Sequence, residues 1–346
     1  MEYGLLGETL GHSFSPQIHR ALADYGYQLY PTPPDAVEEL FRRRAFKGLN
    51  VTIPYKQTVI PLCDEVDPRA AAIGAVNTVV NRDGRLIGYN TDIDGLIYLA
   101  KRAGVEMAGK KVIVLGSGGT SRTARAAAKE LGAAQVVVIS RHGEDNYENL
   151  SRHADAQVVI NTTPVGMYPR CGVAPVSLEA FPRLEGLLDV VYNPLRTALL
   201  MEAEARGIPC SCGLPMLVAQ ARRAAELFTG ADIPDDRLEE VVSRLNAQMR
   251  NVVLIGMPGC GKSAVGRALA RRLGKEFLDL DRLIEADAGK PIPRIFAEEG
   301  EDAFRALESA AVRKAGARTG CILSTGGGVV TRPENYAPLH QNGVIV

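Results

Sequence analysis

Short apolar runs alternate with amphipathic stretches along most of this 346-residue chain. The clearest alternation covers residues 111–141, where apolar runs at 112–115 and 136–139 flank a helix-prone stretch at 121–131. β-branched runs of this length predict buried strands, and Gly132 predicts the end of the helix between them. The pattern therefore predicts a βαβ unit at the centre of the chain.

Glycines stand where the first strand of this unit passes into its helix. Gly116, Gly118 and Gly119 form a turn whose backbone amides, with the helix N-terminus behind them, can bind the pyrophosphate of a dinucleotide. Ser121 occupies the position where the strict G-x-G-x-x-G pattern has its third small residue. The same glycines also fit a βαβ unit in which they serve only the turn.

The end of the second strand indicates which dinucleotide would bind. An NAD site usually carries an acid there for the ribose 2′-hydroxyl, whereas this strand ends in Ser140 and Arg141 with no acid before Glu144. An arginine at that point suits a 2′-phosphate. The sequence therefore favours NADP.

The first segment, residues 1–91, also alternates strand-like and helix-like pieces. Residues 3–7 predict a strand that runs into GHSFSP, where Ser13 and Ser15 place two hydroxyls at a loop–helix junction before Pro16. These serines fit either a binding site or helix capping alone.

Short polar side chains recur near the ends of the following strands. Residues 48–54 predict a strand on which Asn50, Thr52 and Pro54 share one face, and Lys56 follows it. Because α/β folds bind ligands at strand ends, this recurrence predicts a polar site.

A hairpin is predicted next, with its turn in Asn-Arg-Asp-Gly at 81–84. Asn77 precedes the hairpin and Asp92 follows it, so two more polar side chains fall near strand ends.

Composition removes several classes of function. Lysine plus arginine and aspartate plus glutamate both number 40, and no long basic block occurs, so nucleic acid and anionic membranes are poor partners. There is no apolar run of about 18 residues and no signal-peptide pattern, and the 6 cysteines are scattered. We expect a cytoplasmic protein with reduced thiols. The sequence predicts no oligomeric state.

The motifs resemble shikimate dehydrogenases in order and spacing. HSFSP, NVTIPYK, GAVNT, GYNTD and GSGGTSR carry the resemblance, and INTTPVGM, DVVYNP and GLPMLVAQA extend it to about Gln248. The resemblance implies an α/β fold with a substrate domain at 1–91 and 214–248 and a Rossmann-type NADP domain at 92–213. It implies reversible reduction of 3-dehydroshikimate to shikimate with NADP(H), a step of chorismate and aromatic amino-acid biosynthesis.

The same resemblance assigns roles to individual residues. Lys56 resembles the catalytic lysine of the family, and Asp92 resembles its acidic partner. The residues that would bind substrate are Ser13, Ser15, Asn50, Thr52, Asn77, Asp92, Tyr192 and Gln220. The residues that would bind NADP(H) are Gly116, Ser117, Gly118, Gly119, Thr120, Ser140, Arg141, Val190 and Gly213.

A second strand–loop–helix pattern begins after Met249. A strand at 251–255 is followed by GMPGCGKS at 256–263, a complete G-x-x-x-x-G-K-[ST] P-loop, and then by a helix at 264–273. Such a loop wraps phosphates with backbone amides, while its lysine reaches the β/γ oxygens and its serine ligates Mg²⁺. The pattern predicts a Mg-ATP site.

The surroundings of this loop, FLDLD, IFAEEGE, FR and STGGG, resemble shikimate kinase, which implies a partial P-loop kinase α/β domain at 250–346. The product of the first half would then be the substrate of the second. ATP would be bound by Gly256, Gly259, Cys260, Gly261, Lys262 and Ser263. Shikimate would be bound by Asp281, Arg305, Gly326, Gly327 and Gly328, and magnesium would be held at Ser263 and Asp279.

The kinase-like segment stops at Val346, before the parts in which the family carries its lid arginine, a second substrate arginine and the base pocket. From this we expect an incomplete kinase domain without kinase activity.

Three other readings remain open. A quinate/shikimate dehydrogenase using NAD is one, because the family's second basic residue is not evident in His142-Gly143-Glu144-Asp145. A ligand sensor that lost its chemistry is disfavoured, because Lys56, Asp92 and Lys262 are all retained. A structural or oligomerisation role for the C-terminal segment fits this truncated version, whereas the complete P-loop argues against such a role for an intact parent.

Overall fold

The computed structural model describes residues 2–11 and 13–346, so His12 of the HSFSP motif lies outside the described residues. The chain divides into two compact units. The first comprises Met1–Thr163, Glu179–Val190 and Ile208–Ser243, and the second comprises Pro164–Leu178, Val191–Gly207 and Arg244–Val346. The domain boundaries given by the resemblance stay a prediction, because these units divide the chain differently.

The N-terminal part of the first unit forms a mixed sheet. β1 pairs in parallel with both β2 and β3, whereas β5 runs antiparallel to β3 and β6. The order across the sheet is β2-β1-β3-β5-β6-β4. Its strands are β1 (Tyr3–Gly7), β2 (Tyr27–Pro31), β3 (Gly48–Val51), β4 (Glu65–Val66), β5 (Thr78–Arg82) and β6 (Arg85–Tyr89).

The predicted hairpin at 81–84 is confirmed, with Asp83 and Gly84 at positive φ in its turn. The predicted strand over 48–54 is wrong beyond Val51. Pro54 has no N–H for a ladder, and the Tyr55 amide instead closes a turn on the Thr52 carbonyl over 2.9 Å. Asn50, Thr52 and Pro54 therefore do not share one strand face.

The rest of the first unit contains a parallel sheet, as the central βαβ pattern predicts. Its order is β11-β10-β9-β7-β8, and every pairing in it is parallel. Its strands are β7 (Lys111–Leu115), β8 (Gln135–Ile139), β9 (Val158–Asn161), β10 (Gly186–Asp189) and β11 (Cys210–Ser211).

The second unit contains another parallel sheet, ordered β13-β14-β12-β15. Val253, Ile322 and Leu323 are fully buried at its centre, which fits the apolar runs of a sheet covered on both faces. Its strands are β12 (Asn251–Leu254), β13 (Glu276–Asp279), β14 (Cys321–Ser324) and β15 (Gly343–Ile345).

Helices connect the strands, and the predicted ones are present with slightly different starts. The helix expected from 121 begins at Gly119, and the helix expected from 264 begins at Lys262. The bounds are α1 (Ser15–Leu22), α2 (Val37–Arg43), α3 (Pro68–Ile73), α4 (Asp92–Arg102), α5 (Gly119–Glu130), α6 (Ala198–Ala205), α7 (Leu214–Thr229), α8 (Asp235–Met249), α9 (Lys262–Leu273), α10 (Leu280–Ala288), α11 (Ile292–Gly316) and α12 (Tyr336–His340).

Helix α8 continues into β12 with only Arg250 between them, so no flexible linker separates the two elements. The ammonium group of Lys275 donates to the carbonyls of Ala247, Gln248 and Arg250 over 2.8–3.0 Å. Carbonyl groups at a helix C-terminus attract a cation, so these hydrogen bonds hold the Lys275 side chain against the end of α8.

Within residues 2–11 and 13–346, no helix is both long and apolar enough to cross a lipid bilayer.

Candidate active site and phosphate-binding loop

Lys56 and Asp92 are brought together in the first unit. The Lys56 ammonium lies 2.6 Å from an Asp92 carboxylate oxygen, and the two side chains are 29% and 18% exposed. Lys56 lies in the turn after β3, and its carbonyl accepts from the Val76 amide over 2.8 Å. Asp92 is the first residue of α4, where the helix dipole favours an anion. The result is a half-buried ion pair within reach of solvent.

A buried polar network lies beside this ion pair. The Asn50 carboxamide donates to the Thr78 hydroxyl (3.0 Å), which donates to the Asn77 carboxamide oxygen (3.1 Å). That oxygen also accepts from the Thr91 amide over 2.7 Å, directly before Asp92. All four side chains are at most 5% exposed. The network joins the ends of β3 and β5 to the start of α4.

The other predicted substrate residues have varied settings. The Ser13 hydroxyl accepts from the Ser15 amide over 3.2 Å, which is a local turn contact just before α1, whose N-cap Phe14 makes no side-chain cap. The Gln220 carboxamide donates to the Leu217 carbonyl (2.9 Å), and its oxygen lies 3.5 Å from the Thr91 hydroxyl. Tyr192 belongs to the second unit, and burial raises the pKa of its phenol. Its part in the substrate site stays a prediction.

The predicted glycine turn is present at residues 116–120, between β7 and α5. Gly116 has φ of +102°, a backbone conformation that favours glycine, and no atom would lie within 4 Å of a Cβ at Gly118 or Gly119. These two glycines also stand at the N-terminus of α5, without a side-chain cap. An open helix N-terminus behind a glycine turn fits a pyrophosphate.

The loop after β8 presents Arg141 to solvent, while Ser140 is half-buried. The Ser140 amide donates to the Asp145 carbonyl over 3.2 Å, and His153 bonds the Asp145 carboxylate over 2.8 Å. The loop is thus closed on itself, and Arg141 remains accessible to a ribose phosphate.

Val190 and Gly213, both predicted to line the cofactor site, lie against each other. A Cβ on Gly213 would come within 2.1 Å of the Val190 carbonyl oxygen, so only glycine permits this approach.

The P-loop of the second unit has the predicted strand–loop–helix context. The Lys262 ammonium donates to the carbonyls of Gly256 and Met257 over 2.7 and 2.9 Å, at the start of α9. The Ser263 hydroxyl donates to the Asp279 carboxylate over 2.8 Å. Mg²⁺ at nucleotide sites takes few protein ligands beside water and phosphate, so this hydroxyl–carboxylate pair fits such an ion.

Beside the P-loop lies a cavity of about 470 Å³, which brings together predicted ATP and shikimate residues of the kinase-like segment. Its lining includes Lys262, Asp281, Arg305 and the Gly326–Gly328 triplet. A Cβ on Gly328 would lie 2.2 Å from the Arg305 guanidinium, so glycine there leaves room for the arginine. Burial, followed by the nearby carboxylates of Asp279 and Glu308, raises the pKa of Asp281.

Three residues at these sites were not predicted from the sequence. Glu308 is 1% exposed, and its carboxylate accepts from Arg305 over 2.9 Å. The two residues are three positions apart on α11, and this spacing is the sequence signal that could have revealed the pair. The Arg122 guanidinium of α5 lies 2.8 Å from the Gln57 carboxamide, next to Lys56, and donates to the carboxamide oxygen when that oxygen faces it. Tyr27 contacts Asn50, and no local pattern indicates that contact.

His19 is a further buried group beside the polar network. It is 1% exposed, and its ring stacks on that of Tyr27 at a centroid distance of 3.9 Å. Burial lowers its pKa from 6.5 to about 3, with a smaller opposing contribution from Asn50. The folded protein therefore holds His19 neutral.

A half-buried lysine–aspartate pair in one unit with a dinucleotide-type glycine turn fits the class of nicotinamide-dependent oxidoreductases. The shikimate dehydrogenase (NADP(+)) of Geobacillus kaustophilus is 39% identical over 266 residues, covering 69% of this chain and 96% of the relative. The chain therefore belongs to the shikimate dehydrogenase family.

Family models and solved structures agree with this assignment. The model of the shikimate dehydrogenase substrate binding domain matches residues 5–79, and that of shikimate kinase matches residues 258–346. Shikimate 5-dehydrogenase of Thermus thermophilus, solved with NADP(H) and shikimate, is 34% identical with a TM-score of 0.64, covering 70% of this chain and 99% of that one. Quinate dehydrogenase of Corynebacterium glutamicum, solved with NAD, is 28% identical with a TM-score of 0.65, covering 70% and 99%.

The depressed pKa of His19 predicts a pH-dependent stability. Between pH 6.5 and about 3 the unfolded chain binds a proton at His19 that the folded chain excludes. This contribution to stability is present above pH 6.5 and is lost as the pH falls, by about 2 kcal/mol between pH 7 and pH 5. We expect the His19→Leu variant to lack this part of the pH dependence.

Urea unfolding at pH 7 and pH 5 measures the effect as a difference between wild type and variant. His142→Gln, at an exposed histidine, is the control and should follow wild type. Equal pH dependence in wild type and His19→Leu would contradict the prediction.

Proposed function

We propose that this chain catalyses the reversible, NADP-dependent reduction of 3-dehydroshikimate to shikimate. The observation that carries the proposal is the Lys56–Asp92 ion pair, held at 2.6 Å beside a buried network of hydroxyl and carboxamide groups. A polyhydroxylated ring requires many short polar side chains in one place, and this unit supplies them. The relative from Thermus thermophilus, solved with NADP(H) and shikimate, supports the choice of ligands.

The chemistry that NADPH supplies when bound is hydride transfer to the ketone carbon. Lys56 acts on the ketone oxygen, where its ammonium group stabilises the developing alkoxide and donates the proton. In the oxidative direction the neutral amine accepts that proton from the hydroxyl. Asp92 orients the ammonium group through the 2.6 Å contact and accepts a hydrogen bond from the same hydroxyl.

The cofactor residues support NADP. The glycine turn at 116–120 offers backbone amides at the N-terminus of a 12-residue helix, and Arg141 is exposed for the 2′-phosphate. NAD use with quinate is the second candidate, favoured by the quinate dehydrogenase of Corynebacterium glutamicum that was solved with NAD. A sensor without catalysis is the third.

Turnover of four substrate pairs separates these candidates. We expect fast oxidation of NADPH by 3-dehydroshikimate and much slower reaction when NADH or 3-dehydroquinate is substituted, followed by the absorbance of the reduced nicotinamide. Comparable rates with NADH or 3-dehydroquinate would support the quinate/shikimate enzyme. A folded chain that binds shikimate without turnover would support the sensor.

Replacing the lysine tests the mechanism directly. We expect Lys56→Ala to lower kcat about a thousandfold while the KM for 3-dehydroshikimate changes little, because proton donation is lost and most substrate contacts remain. Lys47→Ala, at an exposed lysine paired with Glu2, is the matched control and should retain wild-type kinetics. A variant that loses only substrate affinity would contradict a catalytic role for Lys56.

We further propose that the kinase-like segment binds Mg-ATP with shikimate beside it. The cavity at the P-loop supports this proposal, because it joins Lys262 to Asp281 and Arg305 within a single site. Asp281 is suited to accept a proton from a substrate hydroxyl, since its pKa is raised, and Arg305 is suited to a carboxylate.

Calorimetric titration with Mg-ATP tests this second proposal. We expect Lys262→Met to weaken binding at least about tenfold, because the only side-chain charge of the P-loop motif is removed. Lys290→Met, which removes a lysine paired with Glu298 and Glu299, should leave binding unchanged. Equal binding by wild type and Lys262→Met would contradict the assignment.

A separate assay of ADP release from ATP in the presence of shikimate tests kinase activity. ADP release would contradict the expectation from sequence that this segment is inactive as a kinase.

A further inference from the structure

Tyr27 is a buried phenol that contacts the predicted substrate site and has no assigned role. It lies on β2, is 3% exposed, and donates its hydroxyl proton to the Asn50 carboxamide oxygen over 2.8 Å. Its link to the predicted substrate site is this contact with Asn50, which is itself 5% exposed.

The surroundings of Tyr27 leave its ring little freedom. The His19 ring stacks on the Tyr27 ring with the two planes 7° apart. The Tyr25 ring lies 6.5 Å from the Tyr27 ring, and the Tyr25 hydroxyl hydrogen-bonds the His19 ring. His19 is neutral in the folded protein, so the stack carries no charge. The phenol is thus fixed by packing, independently of its hydrogen bond to Asn50.

The hydroxyl of Tyr27 gives its single proton to Asn50. Burial raises the pKa of Tyr27 well above 10.0, so this arrangement holds across the physiological pH range.

The Asn50 carboxamide is held from two sides. Its N–H groups meet the Thr78 hydroxyl over 3.0 Å and the Asn77 carbonyl over 3.5 Å, and because a carbonyl only accepts, these contacts set which way the amide faces. The Tyr27 hydroxyl meets the carboxamide oxygen over 2.8 Å and therefore holds the position of the Asn50 side chain from the side of β2.

We propose that Tyr27 is a positioning residue that sets substrate affinity by fixing the carboxamide of Asn50. The inference rests on the proposed function, because Asn50 binds substrate only if that function is correct. Among the described residues, the Tyr27 side chain contacts His19, Tyr25 and Asn50. Its hydroxyl should therefore affect substrate KM and leave kcat and the KM for NADPH unchanged.

The test is Tyr27→Phe in the full chain, which removes the hydroxyl and keeps the ring stacked on His19. We expect the KM for 3-dehydroshikimate to rise about tenfold, with kcat and the KM for NADPH within about twofold of wild type. Tyr25→Phe removes a neighbouring hydroxyl that bonds His19 instead of Asn50, and should leave the substrate KM unchanged. Circular dichroism and thermal unfolding establish that both variants are folded.

A double-mutant cycle separates positioning from a general structural effect. If Tyr27 acts through Asn50, then Tyr27→Phe should change substrate affinity by less than about twofold in an Asn50→Ala background, measured as shikimate binding by calorimetry. A tenfold effect that persists in that background, or a Tyr27→Phe KM equal to that of Tyr25→Phe, would overturn the inference while leaving the proposed function intact. A folded wild-type chain that neither binds shikimate nor reduces 3-dehydroshikimate would overturn both.

Discussion

The geometry of the candidate active site depends on one buried hydrogen-bond network, formed by Asn50, Thr78, Asn77 and Thr91. A buried carboxamide or hydroxyl without a partner costs about 1–3 kcal/mol, so these groups hold their mutual positions as long as the protein is folded. The Asn77 oxygen is bonded to the Thr91 amide, directly before Asp92. The polar groups of the proposed substrate site thus determine where the Asp92 carboxylate stands.

The sequence predicts this site because its chemistry is local to short motifs. Asn50, Asn77 and Asp92 each fall within a few residues of a strand end, and the ends of neighbouring strands meet at one edge of a sheet. The hairpin, the central βαβ unit and the P-loop are predicted for the same reason, since turn and cap residues lie inside the segments that they shape.

Contacts between segments that lie far apart in the chain are not encoded in such motifs. The Tyr27–Asn50 bond joins residues separated by 23 positions, and the Gln57–Arg122 bond joins the turn after β3 to α5. Only the packed sheet brings these pairs together. The predicted strand over 48–54 was wrong beyond Val51 for a different reason. The alternation of side chains extended the prediction to Pro54, although proline has no N–H to donate to a neighbouring strand.

The two phosphate-binding loops use the same backbone feature with different side chains. In each, a glycine turn passes from a parallel strand to a helix N-terminus, where amides and the helix dipole attract an anion. The loop before α5 keeps Gly118 and Gly119 open and has no cation of its own, whereas Arg141 follows the next strand. The loop before α9 carries its own cation, Lys262, held by carbonyls of the loop itself. In the proposed NADP site the helix N-terminus serves the pyrophosphate, so a cation is needed only at the 2′-phosphate. The proposed Mg-ATP site needs a cation at the β- and γ-phosphates, and the placement of the basic residue in each case fits that difference.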